Sequence, residues 1–263
     1  MFRLRLFGGF ALEAPSEREV PPRLRPRAKA VLAVLALCGN LGCSRARVLA
    51  LLWPESDEAK ARHNLRDTLH AIRTTLGRDA VINRGDSLLL DPTLVTSDVQ
   101  DFAGAWGAGR LSEAAALYHG PLLDGFHLGG APEFERWVED ERTRLLTECL
   151  EGMKRLAKRA ENEGRWDAAA ERWGRVLALD RYNSRVVVRR MVALARGGDR
   201  ANAIKEGEAH CELLKSDLEL DPDASFLEEL QRIRRGEVGP VRFFTPGTVP
   251  SRKGGPLPPE SEE

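Results

Sequence analysis

The chain has 263 residues, room for one large domain or two ordinary ones, and 42% of them are hydrophobic, which excludes a disordered chain. Forty basic residues balance forty acidic ones, so the net charge is zero, but the distribution is uneven. Up to Asp91 there are 15 Lys and Arg against 10 Asp and Glu, and from Pro92 to Arg235 there are 22 against 26. A basic front joined to a mildly acidic body suits a polyanion-binding module followed by a second module.

Four cysteines (Cys38, Cys43, Cys149 and Cys211) show no disulfide framework, and reduced thiols are expected. The apolar run from Ala28 to Cys38 is too short to span a bilayer and contains Lys29. Nothing near Met1 reads as a signal peptide. The expected location is the cytoplasm, without membrane association.

Phe2 to Phe7 alternates apolar and basic residues before Gly8-Gly9, which predicts a half-exposed strand and a turn. Phe10-Ala11-Leu12 and Glu19-Val20 are short strand candidates, ended by Pro21-Pro22. Pro26 suits the first turn of a helix with Ala30, Val31, Val34, Leu35 and Cys38 inward, closed at Gly39-Asn40. Ser44 caps the next helix, with Val48, Leu49, Leu51 and Leu52 inward and Trp53-Pro54 at its end.

The stretch from Asp57 to Gly77 carries Ala61, Leu65, Leu69, Ile72 and Leu76 at spacings of four, four, three and four. That is the stripe of an amphipathic helix with one buried face. Ser56 is its predicted cap, Asp57 and Glu58 lie in its first turn, and Gly77 stops it. Lys60, His63, Asp67, His70 and Thr74 point outward, with Arg62, Arg66 and Arg73 on one flank and Asn64 on the other. Such side chains bond phosphates and base edges. A solvated helix face is the ordinary alternative for a charged stripe. Val81-Ile82, Asn83 to Asp86 and Leu88 to Leu90 then predict a hairpin. Strands, three helices and a hairpin make the order of a winged helix-turn-helix, whose third helix enters the major groove.

Four stretches carry a resemblance to a known family. They are Leu4-Arg5-Leu6-Phe7-Gly8-Gly9-Phe10, Arg27 to Ala33, Leu51-Leu52-Trp53-Pro54-Glu55-Ser56 and Ala61-Arg62-His63-Asn64-Leu65-Arg66. Together they resemble the SARP-like (antibiotic regulatory protein type) bacterial activators, which carry an OmpR-type winged helix. The resemblance implies that residues 57–76 form the recognition helix and Val81–Leu90 the wing. It also makes Pro54, Glu55, Ser56 and Asp57 candidates for contact with RNA polymerase.

Beyond Asp98 the chain reads as successive helices. Gly164-Arg165-Trp166-Asp167-Ala168-Ala169 and Gly198-Asp199-Arg200-Ala201-Asn202-Ala203 align 34 positions apart, and Gly109 to Ala114 has the same Gly-x-x-x-x-Ala shape. That period belongs to tetratricopeptide helix pairs. Leu117 to His127, with Ala131-Pro132-Glu133-Phe134-Glu135-Arg136-Trp137-Val138-Glu139, resembles the bacterial transcriptional activator domain that follows the winged helix in SARP-like regulators. Ser97-Asp98-Val99 with Phe102 resembles the start of that domain. Phe134, Trp137, Trp166 and Trp173 read as core rather than a ligand-stacking set. Glu139-Asp140-Glu141 reads as a solvated face, and Arg185, Arg189 and Arg190 as surface charge. The tail from Gly236 is rich in Pro, Gly, Ser and Glu and cannot form a core of its own.

No phosphate loop, Gly-x-Ser-x-Gly elbow or His-Glu-x-x-His helix is present. The pairs His119/His127 and His210/Cys211 lack zinc-ligand spacing. No catalytic residue, metal site or cofactor is expected.

The sequence therefore predicts a mostly α chain in three parts: a winged helix-turn-helix over 1–95, an all-α TPR-like activator domain over 96–235, and a disordered tail or linker over 236–263. The expected function is that of a sequence-specific DNA-binding transcriptional activator that is not an enzyme. Its DNA-binding candidates are Lys60, Arg62, His63, Asn64, Arg66, Asp67, His70, Arg73 and Thr74, with Arg84 on the wing. Expected partners are double-stranded DNA with direct repeats, RNA polymerase, and other copies of the chain on DNA. The alternatives are a TPR-like adaptor, or the N-terminal part of a larger multidomain regulator, with little DNA binding of its own.

Overall fold

In the computed structural model, residues 1–15 and 23–238 are described. The strand expected at Glu19-Val20 and the tail from residue 239 onward lie outside the described residues. The fold is mostly α, with small sheets near the N-terminus. The chain divides into two compact units, Met1–Arg159 and Ala160–Glu263.

In the first unit, β1 (Phe2–Arg5) pairs antiparallel with β2 (Ala11–Glu13). It also pairs parallel with β6 (Val95–Ser97), giving the order β2-β1-β6. Three residues are too few for a periodic signal, so the sequence does not announce β6. Helix α1 (Pro26–Cys38) buries every residue from Ala30 to Ala36, not the single stripe expected. Packing explains the difference, because α1 touches α2, α3, α4 and β5, and a helix covered on all sides is apolar all round.

Ser44 caps α2 (Arg45–Leu52) by accepting from the Arg47 N–H. Val48 and Leu52 are buried there, whereas Leu49 and Leu51, expected inward, are half-buried. Leu49 lines an open groove toward α3 (Glu58–Leu76). All five expected stripe residues of α3 are buried. Its cap, however, is Asp57, whose carboxylate accepts from the Lys60 N–H at 2.8 Å, and not Ser56. A carboxylate at that position meets both the free N–H groups and the positive end of the helix dipole.

The wing strands β4 (Val81–Arg84) and β5 (Ser87–Leu90) pair closely and leave only Gly85-Asp86 to turn, fewer residues than expected. Gly85 takes φ 58°, the left-handed conformation such a turn requires. A short β3 (Cys43–Ser44) adds to β5 and ties the start of α2 to the wing.

After β6 come α4 (Asp98–Gly107), α5 (Leu111–Leu117) and the long α6 (Pro132–Asn162). Asp98 fastens α4 to the end of β1. Its buried carboxylate accepts from Leu6 N and Phe7 N at 2.9–3.0 Å and from Val99 N at 2.8 Å. Burial pushes its pKa above the ordinary carboxylate value, opposed by those N–H bonds. The non-helical segment between α5 and α6 returns to β1. Leu123 N donates to Leu6 O at 2.7 Å and Gly8 N donates to Pro121 O at 2.9 Å. The Phe7 ring sits 5.5 Å from Phe102 and 5.0 Å from Tyr118, so the head and the start of the helical region share one core.

The second unit stacks α7 (Trp166–Leu179), α8 (Ser184–Arg196), α9 (Arg200–Leu218) and α10 (Ala224–Arg235) against their chain neighbours. The glycine repeat has a common local geometry. Gly109, Gly164 and Gly198 have φ of 71°, 69° and 94°, and each next N–H reaches back five residues, to Ala105, Ala160 and Leu194. The alanine five positions on is buried each time, at Ala114, Ala169 and Ala203. Phe134 and Trp173 are core, whereas Trp137 and Trp166 are half-buried, and the Arg196 guanidinium lies 4.6 Å from the Trp166 ring centre. Arg189 and Arg190, expected as surface charge, pair with Glu161 and Glu206 at 2.7 and 2.6 Å, while Arg185 is exposed. Of the acidic run, Glu139 pairs with Arg142 and Glu141 with Arg144. The four thiols are free. Among the described residues no helix is long and apolar enough to cross a membrane.

Candidate nucleic-acid interface

Helix α3 owes its exposure to its stripe. Burying Ala61, Leu65, Leu69, Ile72 and Leu76 leaves Lys60, Arg62, His63, Arg66, Asp67, His70 and Thr74 exposed along one side. Two pairs run along that side, Arg62 with Glu58 and His63 Nε2 with Asp67 Oδ2 at 3.2 Å. Every member of both pairs is at least 65% exposed, so each pair contributes ~0–1 kcal/mol and opens readily to another partner. The Thr74 hydroxyl donates to His70 O at 2.9 Å, one turn back.

The other candidates have different surroundings. Asn64 is half-buried and lines a groove with Arg25, Arg27, Trp53 and Leu128, a groove that Asp67 also borders. Arg73 is half-buried and donates to Val81 O at 2.9 and 3.3 Å and to Asn83 Oδ1 at 3.2 Å, so it holds the wing to α3. Arg84 is exposed on the wing, its Nη1 3.4 Å from Asn40 O. Before the helix, Pro54 and Glu55 are exposed, Ser56 is half-buried with its N–H on Trp53 O, and Asp57 is occupied as the cap.

Two residues that sequence reasoning missed stand beside this face. Arg45, the first residue of α2, sends Nη2 to Asn83 Oδ1 at 2.9 Å, and Arg45, Arg62, Arg66 and Arg73 together line the open groove between α2 and α3. The available signal was Ser44 followed by Arg45 and Arg47, a cap leading into basic residues. Asn83 has no sequence signal, since its role comes from the pairing of β4 beside α3. Among the described residues no group of three or more His, Cys, Asp or Glu is placed to hold a metal ion.

The arrangement is a basic helix face, flanked by a helix and a hairpin, ahead of a repeat-built helical region. Residues 98–234 of that region match the bacterial transcriptional activator domain, which covers just over half of the chain. The chain belongs to this family. It is a SARP-like transcriptional regulator. The regulator's fold is similar to that of Mycobacterium tuberculosis EmbR in complex with a low affinity phosphopeptide, with a TM-score of 0.59 and 19% identity. The likeness covers 89% of the regulator and 65% of the EmbR chain, and at that identity it concerns the fold alone. A comparison with curated proteins returned no match. In the regulator, the matched segment crosses the division between the two compact units, because α4, α5 and most of α6 fold with the head.

Proposed function

We propose that the regulator is an activator that reads duplex DNA through α3 and works in the cytoplasm without catalysis of its own. The observation that carries this reading is the outward side of α3, where Lys60, Arg62, His63, Arg66 and His70 stand exposed beside a two-stranded wing. A helix is the size of the major groove, and arginine and histidine donors reach its base edges. Arg62, His63, Arg66, Asp67 and His70 are the base readers in this reading, while Lys60, Thr74 and the wing's Arg84 contact phosphates. Asp67 has a place there, because a carboxylate accepts from a cytosine amino group. Asn64 reaches DNA only at the margin, on the flank that faces the Trp53 groove.

The exposed Pro54 and Glu55 offer RNA polymerase a contact, with Ser56 and Asp57 shaping the loop. The helical repeats support association of copies on direct repeats about one helical turn apart. A protein-binding adaptor is the competing reading, favoured by the Asp67 carboxylate, which would be costly if it faced phosphates.

Selection of the whole chain on a random duplex pool tests the proposal. Enrichment of a repeated motif is expected, with Arg66→Glu abolishing it while the fold persists. Arg66→Ala should cost ~1–3 kcal/mol and relax one base position. If no motif is enriched and Arg66→Glu binds duplex as well as the wild type, the DNA reading is wrong and the adaptor stands.

A further inference from the structure

Arg45 and Arg73 come from different helices and converge on one atom. Arg45 Nη2 lies 2.9 Å and Arg73 Nη2 3.2 Å from Asn83 Oδ1. Two cations drawn to one neutral acceptor repel each other, and among the described residues no carboxylate pairs with either of them. Glu58 and Asp86 border the same groove, but Glu58 is taken by Arg62, and Asp86 sits in the wing turn.

The three groups are also held in place. The Arg45 N–H donates to Asp86 O at 3.0 Å, fixing the start of α2 to the wing turn. Arg73 is anchored to β4 through Val81 O, and Asn83 lies on β4 opposite Leu88. Helix, helix and hairpin thus hold two guanidinium groups in a fixed arrangement beside an open groove, Arg73 with its Nε and Nη2 on Val81 O. An oxyanion with several acceptor oxygens satisfies such a pair where a single amide oxygen does so poorly.

We propose that Arg45, Arg73 and Asn83 form a seat for one phosphodiester of duplex DNA at the junction of α2, α3 and the wing. This rests on the DNA reading above and deepens it. The seat fixes the rotation of α3 in the major groove, and it makes Arg73 a phosphate contact rather than a reader of bases. Asn83 is a positioning residue, since it holds both arginines ready while the groove is empty of DNA.

The test uses the whole chain and a duplex enriched by selection, with neutral methylphosphonates substituted one position at a time. One substitution per half-site is expected to weaken wild-type binding about tenfold, the scale of a lost hydrogen bond to a charged group. The same substitution should leave the affinity of a folded Arg45→Gln variant unchanged. That variant should lower the log–log salt slope by ~0.9 and weaken all duplexes alike, while Arg45→Lys keeps the slope.

An unchanged slope, or penalties that multiply independently, overturns the seat although the DNA reading stands. A wild type that binds no duplex overturns the DNA reading itself. If the methylphosphonate scan is flat and inorganic phosphate alone raises the melting temperature of wild type but not of Arg45→Gln, the site takes free phosphate and the duplex seat is wrong. Should Arg45→Gln not fold, Asn83→Ala at its exposed position is expected to shrink the same methylphosphonate penalty. An undiminished penalty there also overturns the proposal.

Discussion

Single side chains in this protein do work that their neighbours in sequence do not suggest. His210 is an example. It is buried on α9, its Nε2 2.9 Å from the Ser184 hydroxyl and its ring 5.2 Å from Phe226. Burial lowers its pKa below the ordinary histidine value of 6.5. The folded protein therefore keeps His210 neutral where the unfolded chain already takes up the proton, near pH 6.5. Stability from this group is present above that pH and is lost as pH falls toward the folded value. We expect the urea midpoint of the second unit to drop between pH 7.5 and 5.5, and to drop less in His210→Gln. Equal losses in both proteins would remove His210 as the cause. Sequence inspection placed His210 on a helix without zinc-ligand spacing, but its burial comes from α8 and α10, which no local pattern reports.

At the scale of elements, the period of α3 and the Ser44 cap of α2 were legible because both are encoded within a few residues. The cap of α3 fell on Asp57, one residue past the Ser56 expected. The α3 stripe is buried as read, and the Gly-x-x-x-x-Ala signature marks three helix ends with a common hydrogen bond. What failed was short or collective. Three-residue β6 has no period to detect, and the stripe of α1 became all-round burial once the surrounding helices and the wing sheet covered it. Contacts between elements also set tolerances invisible in sequence. A Cβ on Gly152 of α6 would lie 2.8 Å from Trp106 Cζ3 of α4, and an indole ring cannot bend away as a flexible side chain can. Gly152→Ala is therefore expected to destabilise the first unit by ~1–3 kcal/mol despite alanine's better helix propensity. Chemical denaturation reads this directly, and a variant as stable as wild type would show that α4 and α6 separate easily.

Across the whole molecule, the division at Arg159 changes how the protein should be cut and tested. A fragment ending at residue 95 keeps the winged helix by sequence but loses Asp98, the bonds from 121–123 to β1, and Phe102 and Tyr118 beside Phe7. Leu6 and Phe7, both buried in the intact chain, would then face water, at ~1.5–3 kcal/mol for each side chain. Residues 1–95 should melt well below the whole chain or remain unfolded, as circular dichroism on the two proteins would show. A fragment as stable as the intact chain would mean that the shared core contributes little. The consequence for function is direct, because the arginines of α3 and the activator segment as far as Arg159 belong to the same compact unit.

The amino-acid sequence by itself determined the order of the first three helices and the hairpin, the buried stripe of α3, the 34-residue repeat, and the motifs that place the chain in its family. Each of these is written in residues close together along the chain, where backbone conformation and side-chain period decide the outcome. The tertiary structure alone decided that Arg73 grips the wing, that Arg45 and Asn83 join it, and that Asp98 locks onto Leu6 from 92 positions away. Those partners are chosen by packing, which brings distant backbone groups within 3 Å and leaves no trace in local spacing.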